Sequence, residues 1–575
     1  MGYRETYEAW LADPYFDAET KKELEGIAGD EKEIEDRFYR DLEFGTAGLR
    51  GVIGAGTNRM NFYTVRKATQ GLANYIKKQH MEEKGVAISY DSRHFSPEFA
   101  DSAALCLAAN GIKAYVFTSL RPTPELSFAV RYLKCAAGIN ITASHNPSEY
   151  NGYKVYWEDG AQITPPHDKG IMEEVRNVTD WANVLTMELD EAKEKGLYQA
   201  IAEDVDGPYM EEIKKLVLRQ DCIDSHGKDI TIVYTPLHGT GNIPVRRVLK
   251  EIGFEKVFVV PEQELPDGDF PTVGYPNPET EKAFELGVAL GKEKDADLIL
   301  ATDPDADRLG VYVKDAKTGE YHPLTGNMSG CLIGEYIISQ KKEKGTLPSD
   351  GAFIRSIVST TMADAIAKAY GIELIEVLTG FKYIGQKILE FEESGKGSYV
   401  FGMEESYGCL PGTYARDKDA VAASMFLCEA AAYYKTRNMT LWDAMLEMYE
   451  KYGFYTEHVE SVTLKGIDGL KEIQNTMKRL RDNAPKTMGD YSVNRIRDYA
   501  SGKIRDLSTG EESGTGLPES NVLYYELNDN AWVCVRPSGT EPKIKFYIGV
   551  RGTGFEDGEK KAKALLEEIR KVAGV

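Results

Sequence analysis

The stretch Ala136-Ala-Gly-Ile-Asn-Ile-Thr-Ala-Ser-His-Asn-Pro147 indicates how this 575-residue chain folds. Its first six residues predict a buried strand, and the rest predict a polar turn at the C-terminal end of that strand. In open α/β sheets, ligands bind at this end. Pro147 disfavours helix at the residue before it, so we expect Ser144 on an exposed, constrained loop beside His145. Taken alone, a polar turn with an incidental serine explains the same residues, because turns favour them.

Composition excludes several classes of protein. Hydrophobic residues make up 42% of the chain and charged residues 28%, as in ordinary globular proteins, and the length suggests several domains. The formal net charge of −23 argues against a general nucleic-acid binder, which needs clustered Lys and Arg. We expect no membrane span and no signal peptide, because no apolar run is long enough. The seven scattered cysteines predict neither a zinc site nor a disulfide framework, which favours a cytoplasmic location.

Strands and helices alternate along most of the chain. The apolar strand 86–90, a helix with Ser96 as its cap and Pro97 as its first residue, and the strand 113–117 precede the Ser144 loop, and the strand 152–157 follows it. The same alternation continues through strands at 230–234, 256–260 and 297–301. The segment 420–434 is apolar on most faces and predicts a core helix, and the segment 559–572 predicts an amphipathic helix. Such alternation predicts α/β sheets covered by helices. A polar, acidic stretch from about 190 to 206 predicts a domain boundary.

The loop Thr302-Asp-Pro-Asp-Ala-Asp-Arg308 is the most specific local signal. Carboxylates at alternate positions of a tight turn can converge on one hard cation. An EF-hand is excluded, because Arg308 stands where that loop requires Gly and Lys314 where it requires Glu. Three carboxylates leave coordination positions open, as Mg²⁺ shared with a phosphate requires. The alternative is an acidic surface turn.

Three further loops carry groups suited to sugar phosphates. The glycine-rich stretch 42–56 contains Arg50 and is a weak phosphate-site candidate beside a plain β-turn; no P-loop pattern occurs. The sequence Gly402-Met-Glu-Glu-Ser406 follows a predicted strand and suits sugar hydroxyls, although a capped helix start is equally consistent with it. The loop Arg536-Pro-Ser-Gly-Thr540 offers a guanidinium, two hydroxyls and a glycine amide, which suit a phosphate; the alternative is a polar hairpin turn.

In this order, four of these loops resemble those of the α-D-phosphohexomutase family. The motifs are Thr142-Ala-Ser-His-Asn-Pro147, Asp303-Pro-Asp-Ala-Asp-Arg308, Gly402-Met-Glu-Glu-Ser406 and Arg536-Pro-Ser-Gly-Thr540. The resemblance extends over essentially the whole chain. The stretch 42–50, followed by Asn58-Arg-Met60, looks most like the phosphoglucomutase and phosphopentomutase-like branch.

The resemblance implies a heart-shaped α/β architecture of four domains. Three related α/β domains with mixed sheets would be followed by a smaller C-terminal α+β domain. The implied boundaries are 1–205 for the phosphoserine loop, 206–320 for the metal-binding loop, 321–454 for the sugar-binding loop and 455–575 for the phosphate-binding loop.

The resemblance also implies an isomerase-class enzyme that interconverts the 1-phosphate and the 6-phosphate of a hexose through a bisphosphate. Ser144 would be phosphorylated, and its phosphate would complete a Mg²⁺ site formed by Asp303, Asp305 and Asp307. Lys154 matches the position of the general acid/base, with His145 and Lys382 as weaker candidates. Arg50 and Arg308 would neutralise charge on the transferred group. The implied substrate contacts are Thr379, Gly380, Lys382, Glu404, Ser406, Arg536, Ser538, Gly539 and Thr540.

Glucose is the expected sugar, with glucose 1,6-bisphosphate as intermediate and activator. Mannose and pentose phosphates are the alternatives, because Glu404 and Ser406 would contact hydroxyls that these sugars share. A metal-dependent sugar phosphatase and a silent sugar-phosphate-binding protein are alternatives from other classes. The expected partner is a small sugar phosphate rather than nucleic acid or a membrane, and the chain would be a monomer or a homodimer.

Overall fold

The computed structural model describes residues 2–42, 48–464, 466–538 and 543–574. The chain forms two compact units. The first contains Met1–Lys341 and Gly380–Leu441, and the second contains Lys342–Thr379 and Trp442–Val575.

The first part of the chain forms a six-stranded mixed sheet. Its elements are α1 (Tyr3–Ala12), α2 (Ala18–Gly26), α3 (Glu31–Phe38), β1 (Leu49–Val52), α4 (Phe62–Lys78), β2 (Val86–Tyr90), α5 (Ser96–Ala109), β3 (Ala114–Phe117), α6 (Thr123–Tyr132), β4 (Ala137–Ile141), β5 (Tyr150–Trp157), α7 (His167–Asn177), α8 (Leu189–Glu194) and β6 (Tyr198–Ile201). The strand order is β1-β5-β4-β2-β3-β6, with β2, β3, β4 and β6 parallel and β5 and β1 added antiparallel. All five residues of β4 are buried, as its apolar sequence predicts.

The start of α5 differs from the prediction. Ser96 is the first helical residue instead of the cap, and the capping position is Phe95. The Ser96 hydroxyl is turned to Asp91, whose carboxylate accepts its hydrogen bond at 3.0 Å. The Ser96 hydroxyl therefore binds a buried carboxylate instead of capping the helix.

A second mixed sheet follows. Its elements are α9 (Glu203–Lys214), α10 (Gln220–His226), β7 (Thr231–Thr235), α11 (Asn242–Ile252), β8 (Lys256–Val259), α12 (Pro261–Glu264), α13 (Glu281–Lys294), β9 (Leu298–Thr302), β10 (Leu309–Lys314) and β11 (Tyr321–Leu324). The strand order is β11-β10-β9-β7-β8, in which β7, β8 and β9 are parallel. Strand β9 is fully buried and ends at the aspartate loop.

The next segment again contains both parallel and antiparallel strand pairs. Its elements are α14 (Gly326–Glu343), β12 (Gly351–Ser356), α15 (Met362–Tyr370), β13 (Glu373–Val377), α16 (Lys382–Ser394), β14 (Ser398–Glu404), β15 (Gly408–Leu410), α17 (Ala420–Thr436) and α18 (Leu441–Tyr452). Strands β12 and β13 pair parallel in the second unit, and β14 and β15 pair antiparallel in the first. Glu404 is the last residue of β14, so the prediction that it follows the strand was wrong. Helix α17 is buried on most faces, as predicted.

The C-terminal part forms one antiparallel sheet with two helices. Its elements are β16 (Phe454–Thr463), α19 (Gly466–Asp482), β17 (Thr487–Met488), β18 (Tyr491–Asp498), β19 (Lys503–Asp506), β20 (Glu512–Gly514), β21 (Leu523–Leu527), β22 (Trp532–Pro537), β23 (Lys543–Gly552) and α20 (Phe555–Ala573). The strand order is β16-β23-β22-β21-β18-β19-β20, and α19 and α20 share its apolar core. Arg536 and Pro537 belong to β22. The prediction of Arg536 as a loop residue was therefore wrong, because pairing with β23 extends the strand through Pro537.

The fold class is as predicted: α/β units with mixed sheets, followed by a sheet-rich α+β part. No helix of the described residues is long and apolar enough to cross a bilayer.

Candidate functional site

Ser144 lies two residues beyond Thr142, in the turn that follows β4. Its backbone has φ +53°, in the left-handed region that non-glycine residues rarely adopt. Its N–H donates to Thr142 Oγ1 at 2.8 Å, and its hydroxyl donates to Asp303 Oδ2 at 2.8 Å. His145 Nδ1 lies 3.1 Å from the same hydroxyl oxygen. Ser144 is only 3% exposed, so the expectation of an exposed serine was wrong: the aspartate loop covers it.

The three aspartates after β9 converge as predicted. Asp303, Asp305 and Asp307 are all buried, and each offers a carboxylate oxygen within 4.8 Å of the others. Asp303 Oδ1 accepts the N–H groups of Asp307 and Arg308, which fold the loop around it. In the two remaining aspartates, the carboxylate oxygens Asp305 Oδ1 and Asp307 Oδ1 are buried and accept no hydrogen bond. Because unpaired buried oxygens are costly, this arrangement fits a bound hard cation.

The pKa values of these aspartates are also consistent with a bound cation. Burial, together with the neighbouring carboxylates Asp305 and Asp307, raises the pKa of Asp303 well above its usual value. Burial also raises the pKa of Asp307. The pKa of Asp305 is instead lowered, because Lys154 and hydrogen bonds outweigh its burial. Only one of the three carboxylates therefore has a lowered pKa, and a divalent cation would add positive charge next to all three.

Two buried lysines contact the aspartates. Lys154 Nζ lies 2.7 Å from Asp305 Oδ2. Lys418 Nζ lies 3.1 Å from Asp307 Oδ2 and 2.9 Å from Asp417 Oδ1. Lys418 was missed from the sequence. The available signal was Arg416-Asp-Lys-Asp419, a run of four charged residues immediately before an apolar core helix.

A second missed residue lies on α6. Thr123 Oγ1 donates to Asp305 Oδ2 at 2.8 Å, and its N–H donates to the Asp305 carbonyl at 2.9 Å. The Asn140 amide donates to the Thr123 hydroxyl at 2.6 Å. These bonds join the helix and β4 directly to the aspartate loop. No sequence motif pointed to Thr123.

The predicted arginines and His145 lie around the serine. Arg50 Nη1 donates to the Asn146 side chain at 3.0 Å, so it contacts the serine loop. Arg308 pairs with Glu279 at 2.6 Å, while its Nε, without a hydrogen bond, lies 3.8 Å from Asp307. Burial, and then Arg308 and Arg50, lower the pKa of His145 well below its usual value, which favours the neutral ring.

The predicted sugar-binding residues are only partly brought together. The Gly380 N–H donates to Glu404 Oε1 at 2.7 Å. Burial raises the pKa of Glu404 to about 7. Lys382 is the first residue of α16, with its ammonium 5.4 Å from the Tyr383 ring. Ser406 lies in the turn between β14 and β15, and Thr379 belongs to the second unit.

The predicted phosphate clamp lies in the second unit. Arg536 is on β22, and the Ser538 N–H donates to the Lys543 carbonyl at 2.7 Å. Gly539 and Thr540 lie outside the described residues, as do residues 43–47 of the glycine-rich stretch.

A buried serine facing three carboxylates, two lysines and neighbouring arginines can exchange an anionic group next to a metal ion. The fold that holds it is shared with solved structures. The crystal structure of parafusin, a phosphoglucomutase from Paramecium, matches with a TM-score of 0.69 at 19% identity, over 93% of this chain and 97% of that one. The fold is that of the phosphohexomutases.

Sequence comparison gives the family. The models for α/β/α domains I, II and III of phosphoglucomutase/phosphomannomutase match residues 41–181, 207–319 and 325–452. Phosphoglucomutase from Staphylococcus haemolyticus is 36% identical over 91% of this chain and 92% of its own length. Phosphoglucomutase from Staphylococcus aureus (strain MRSA252) is 37% identical over 93% and 95%. The chain belongs to the phosphoglucomutase/phosphomannomutase family.

Proposed function

We propose that this protein is a phosphoglucomutase, an isomerase that interconverts glucose 1-phosphate and glucose 6-phosphate through phospho-Ser144 and glucose 1,6-bisphosphate. The single observation that carries the mechanism is the 2.8 Å contact between Ser144 Oγ and Asp303 Oδ2. It brings a nucleophilic oxygen to a cluster of carboxylates that has unpaired oxygens. The similarity to curated phosphoglucomutases over more than nine-tenths of the chain supports the reaction.

The donor set fits Mg²⁺, which carboxylates and a phosphate oxygen bind in an open site. Asp303, Asp305 and Asp307 would hold it, together with an oxygen of phospho-Ser144. When bound, the ion supplies charge neutralisation for the transferred phosphoryl group.

Residues of the chain would carry the transfer itself. The phosphoryl group leaves Ser144 Oγ for a sugar hydroxyl, which forms the bisphosphate. After the bisphosphate turns around, the phosphoryl group at its other end passes to Ser144 Oγ and regenerates the phosphoserine. In its amine form, Lys154, which is buried beside Asp305, accepts the proton of the attacking hydroxyl, and the ammonium that results returns this proton to the serine oxygen. Arg50 and Arg308 stabilise charge on the equatorial oxygens. The neutral ring of His145 orients the serine hydroxyl.

Substrate recognition would use the two remaining loops. Glu404 and Ser406 accept and donate hydrogen bonds to sugar hydroxyls. Gly380 is hydrogen-bonded to Glu404, and Thr379 and Lys382 lie within two residues of Gly380 in sequence. Arg536, Ser538, Gly539 and Thr540 bind the phosphate that is not transferred. The seven cysteines are free and buried, which supports a cytoplasmic location.

A panel of sugar phosphates tests this proposal. Glucose, mannose, glucosamine and ribose 1-phosphates are assayed with Mg²⁺ and a trace of the matching bisphosphate, and both isomer and inorganic phosphate are measured. We expect isomer formation without phosphate release, fastest with glucose 1-phosphate. Release of phosphate as the main product would indicate a phosphatase and refute the proposal. A faster reaction with mannose 1-phosphate or ribose 1-phosphate would be consistent with a mutase but would show that glucose is not the preferred sugar.

A matched pair of serine variants tests the mechanism. Ser144→Ala removes the proposed carrier, and Ser148→Ala is the control, four residues further along the same loop. We expect Ser144→Ala to abolish turnover while sugar-phosphate binding is retained, and Ser148→Ala to remain active. An active Ser144→Ala enzyme would exclude the phosphoserine mechanism.

A further inference from the structure

Arg93 is a fully buried arginine whose guanidinium binds the backbone of the serine loop. Its Nη2 donates to the carbonyl of Ser144 at 2.6 Å and also to that of Asn146. Its Nη1 donates to the carbonyls of Pro147 and Tyr150 at 2.8 and 3.0 Å. One side chain therefore holds four carbonyls of the turn that contains the nucleophile.

The same arginine is connected to the serine by a second route. Arg93 Nε lies 3.3 Å from Asp91 Oδ2, and both side chains have no exposed surface. That Asp91 oxygen accepts the Thr142 hydroxyl at 2.6 Å, and Thr142 Oγ1 accepts the Ser144 N–H at 2.8 Å. Carbonyl and N–H of Ser144 are thus both fixed by one buried network.

This network also contacts the part of the chain that carries the aspartates. The loop 265–280 between α12 and α13 packs on the turn that contains Arg93. The guanidinium carbon lies 5.0 Å from the centre of the buried Phe270 ring, within the range of a cation–π contact. A Cβ added to Gly268 would lie 2.9 Å from the His94 nitrogen, so the two backbones touch. His94 Nε2 lies 2.7 Å from Asp269.

We propose that Arg93 is a positioning residue that holds Ser144 in its left-handed conformation and, through Phe270, in register with the aspartates that face it. The proposal rests on the function proposed above. A non-glycine residue at φ +53° is strained and persists only where its surroundings fix it. The Arg93 network supplies this constraint, since it binds groups on both sides of the Ser144 backbone.

A lysine cannot replace this arginine. Its single nitrogen has three donors and cannot reach four carbonyls spread over seven residues, whereas the planar guanidinium can. Arg93→Lys therefore keeps the charge and loses the geometry. A displacement of about 1 Å in a reacting group costs roughly 100-fold in rate.

The first test compares Arg93→Lys with Arg355→Lys. Arg355 is also fully buried, but it binds Asp364 and Glu376 in the second unit. Single-turnover transfer from phospho-Ser144 to glucose 1-phosphate is measured at saturating Mg²⁺, with KM and thermal stability alongside. We expect Arg93→Lys to lower the transfer rate about 100-fold with KM within about threefold of wild type. Arg355→Lys should lose stability but keep the transfer rate.

The second test holds even if Arg93→Lys fails to fold. Phe270→Leu removes the ring over Arg93, and Phe284→Leu makes the same change elsewhere in the same apolar core. We expect both variants to lose a similar amount of stability, but only Phe270→Leu to slow phosphoryl transfer, by about tenfold. Equal transfer rates in this pair would overturn the link to Phe270, and a wild-type rate in Arg93→Lys would overturn the proposal. If wild-type Ser144 takes up no phosphate at all, the proposed function fails instead.

Discussion

Replacing Lys154 by methionine is expected to separate the role of charge from that of proton transfer. Lys154 is 5% exposed and its ammonium lies 2.7 Å from Asp305 Oδ2. Methionine keeps most of the length of the side chain but leaves that carboxylate buried without its cation. Breaking a buried ion pair in this way costs about 3–5 kcal/mol.

Lys418→Met is the matched control. Lys418 is 9% exposed and lies 3.1 Å from Asp307 Oδ2, so its loss removes the nearest cation from a second aspartate of the same cluster. In EDTA, we expect both variants to lose about 3–5 kcal/mol of unfolding free energy in urea titrations. Saturating Mg²⁺ should return part of this loss in both, because it supplies positive charge to the same oxygens.

The two variants should differ in chemistry. If Lys154 transfers the proton, Lys154→Met lowers the single-turnover rate of phosphoryl transfer by about 10²–10⁴-fold. Lys418→Met should lower it far less once Mg²⁺ is saturating. A Lys154→Met enzyme within tenfold of wild type, beside a Lys418→Met enzyme that is nearly inactive, would refute the assignment and make Lys418 the acid/base.

Three further changes test the rest of the site. Mg²⁺ at about 100 times its Kd should raise the unfolding free energy of the wild type by about 2.7 kcal/mol. Asp307→Asn should reduce this stabilisation, as measured by thermal unfolding with and without Mg²⁺. An unchanged stabilisation would exclude Asp307 as a ligand. The pKa of Glu404 is raised to about 7, so the carboxylate that we propose to bind the sugar is protonated as the pH falls below 7. The value of kcat/KM should then decline about tenfold per pH unit, and Glu404→Gln should lack this decline. Identical pH profiles would argue against the role. Arg536→Ala should raise KM for glucose 1-phosphate more than it lowers kcat, because it removes a contact to the phosphate that is not transferred; an effect on kcat alone would contradict the clamp.

Local sequence patterns predicted the fold well where one physical rule dominates. The apolar runs that form β4 and β9 are fully buried strands, and each ends at the polar loop expected after it. The spacing of the three aspartates correctly predicted their convergence, because alternate residues of a tight turn can face one point. Periodicity also identified the long helices α17 and α20, with ends within a few residues.

Contacts between distant segments were not predictable in this way. Lys418 reaches Asp307 only because the third segment folds onto the aspartate loop, and 111 residues separate them in sequence. The buried bonds of Thr123 and Arg93 depend in the same way on packing between elements, to which no local pattern corresponds. Strand ends were also misplaced at Glu404 and Arg536, because pairing with a neighbouring strand extended β14 and β22.

Labelling of the enzyme by radioactive glucose 1,6-bisphosphate tests the phosphoserine mechanism most directly. Wild type and the Ser148→Ala control are incubated with the labelled bisphosphate and Mg²⁺, and the modified peptide is located by mass spectrometry. We predict one phosphoryl group per chain, on Ser144, which unlabelled glucose 1-phosphate removes and which appears in the sugar bisphosphate. Label on another residue, or label that Ser144→Ala accepts and passes on equally well, would contradict the assignment of Ser144 as the phosphoryl carrier.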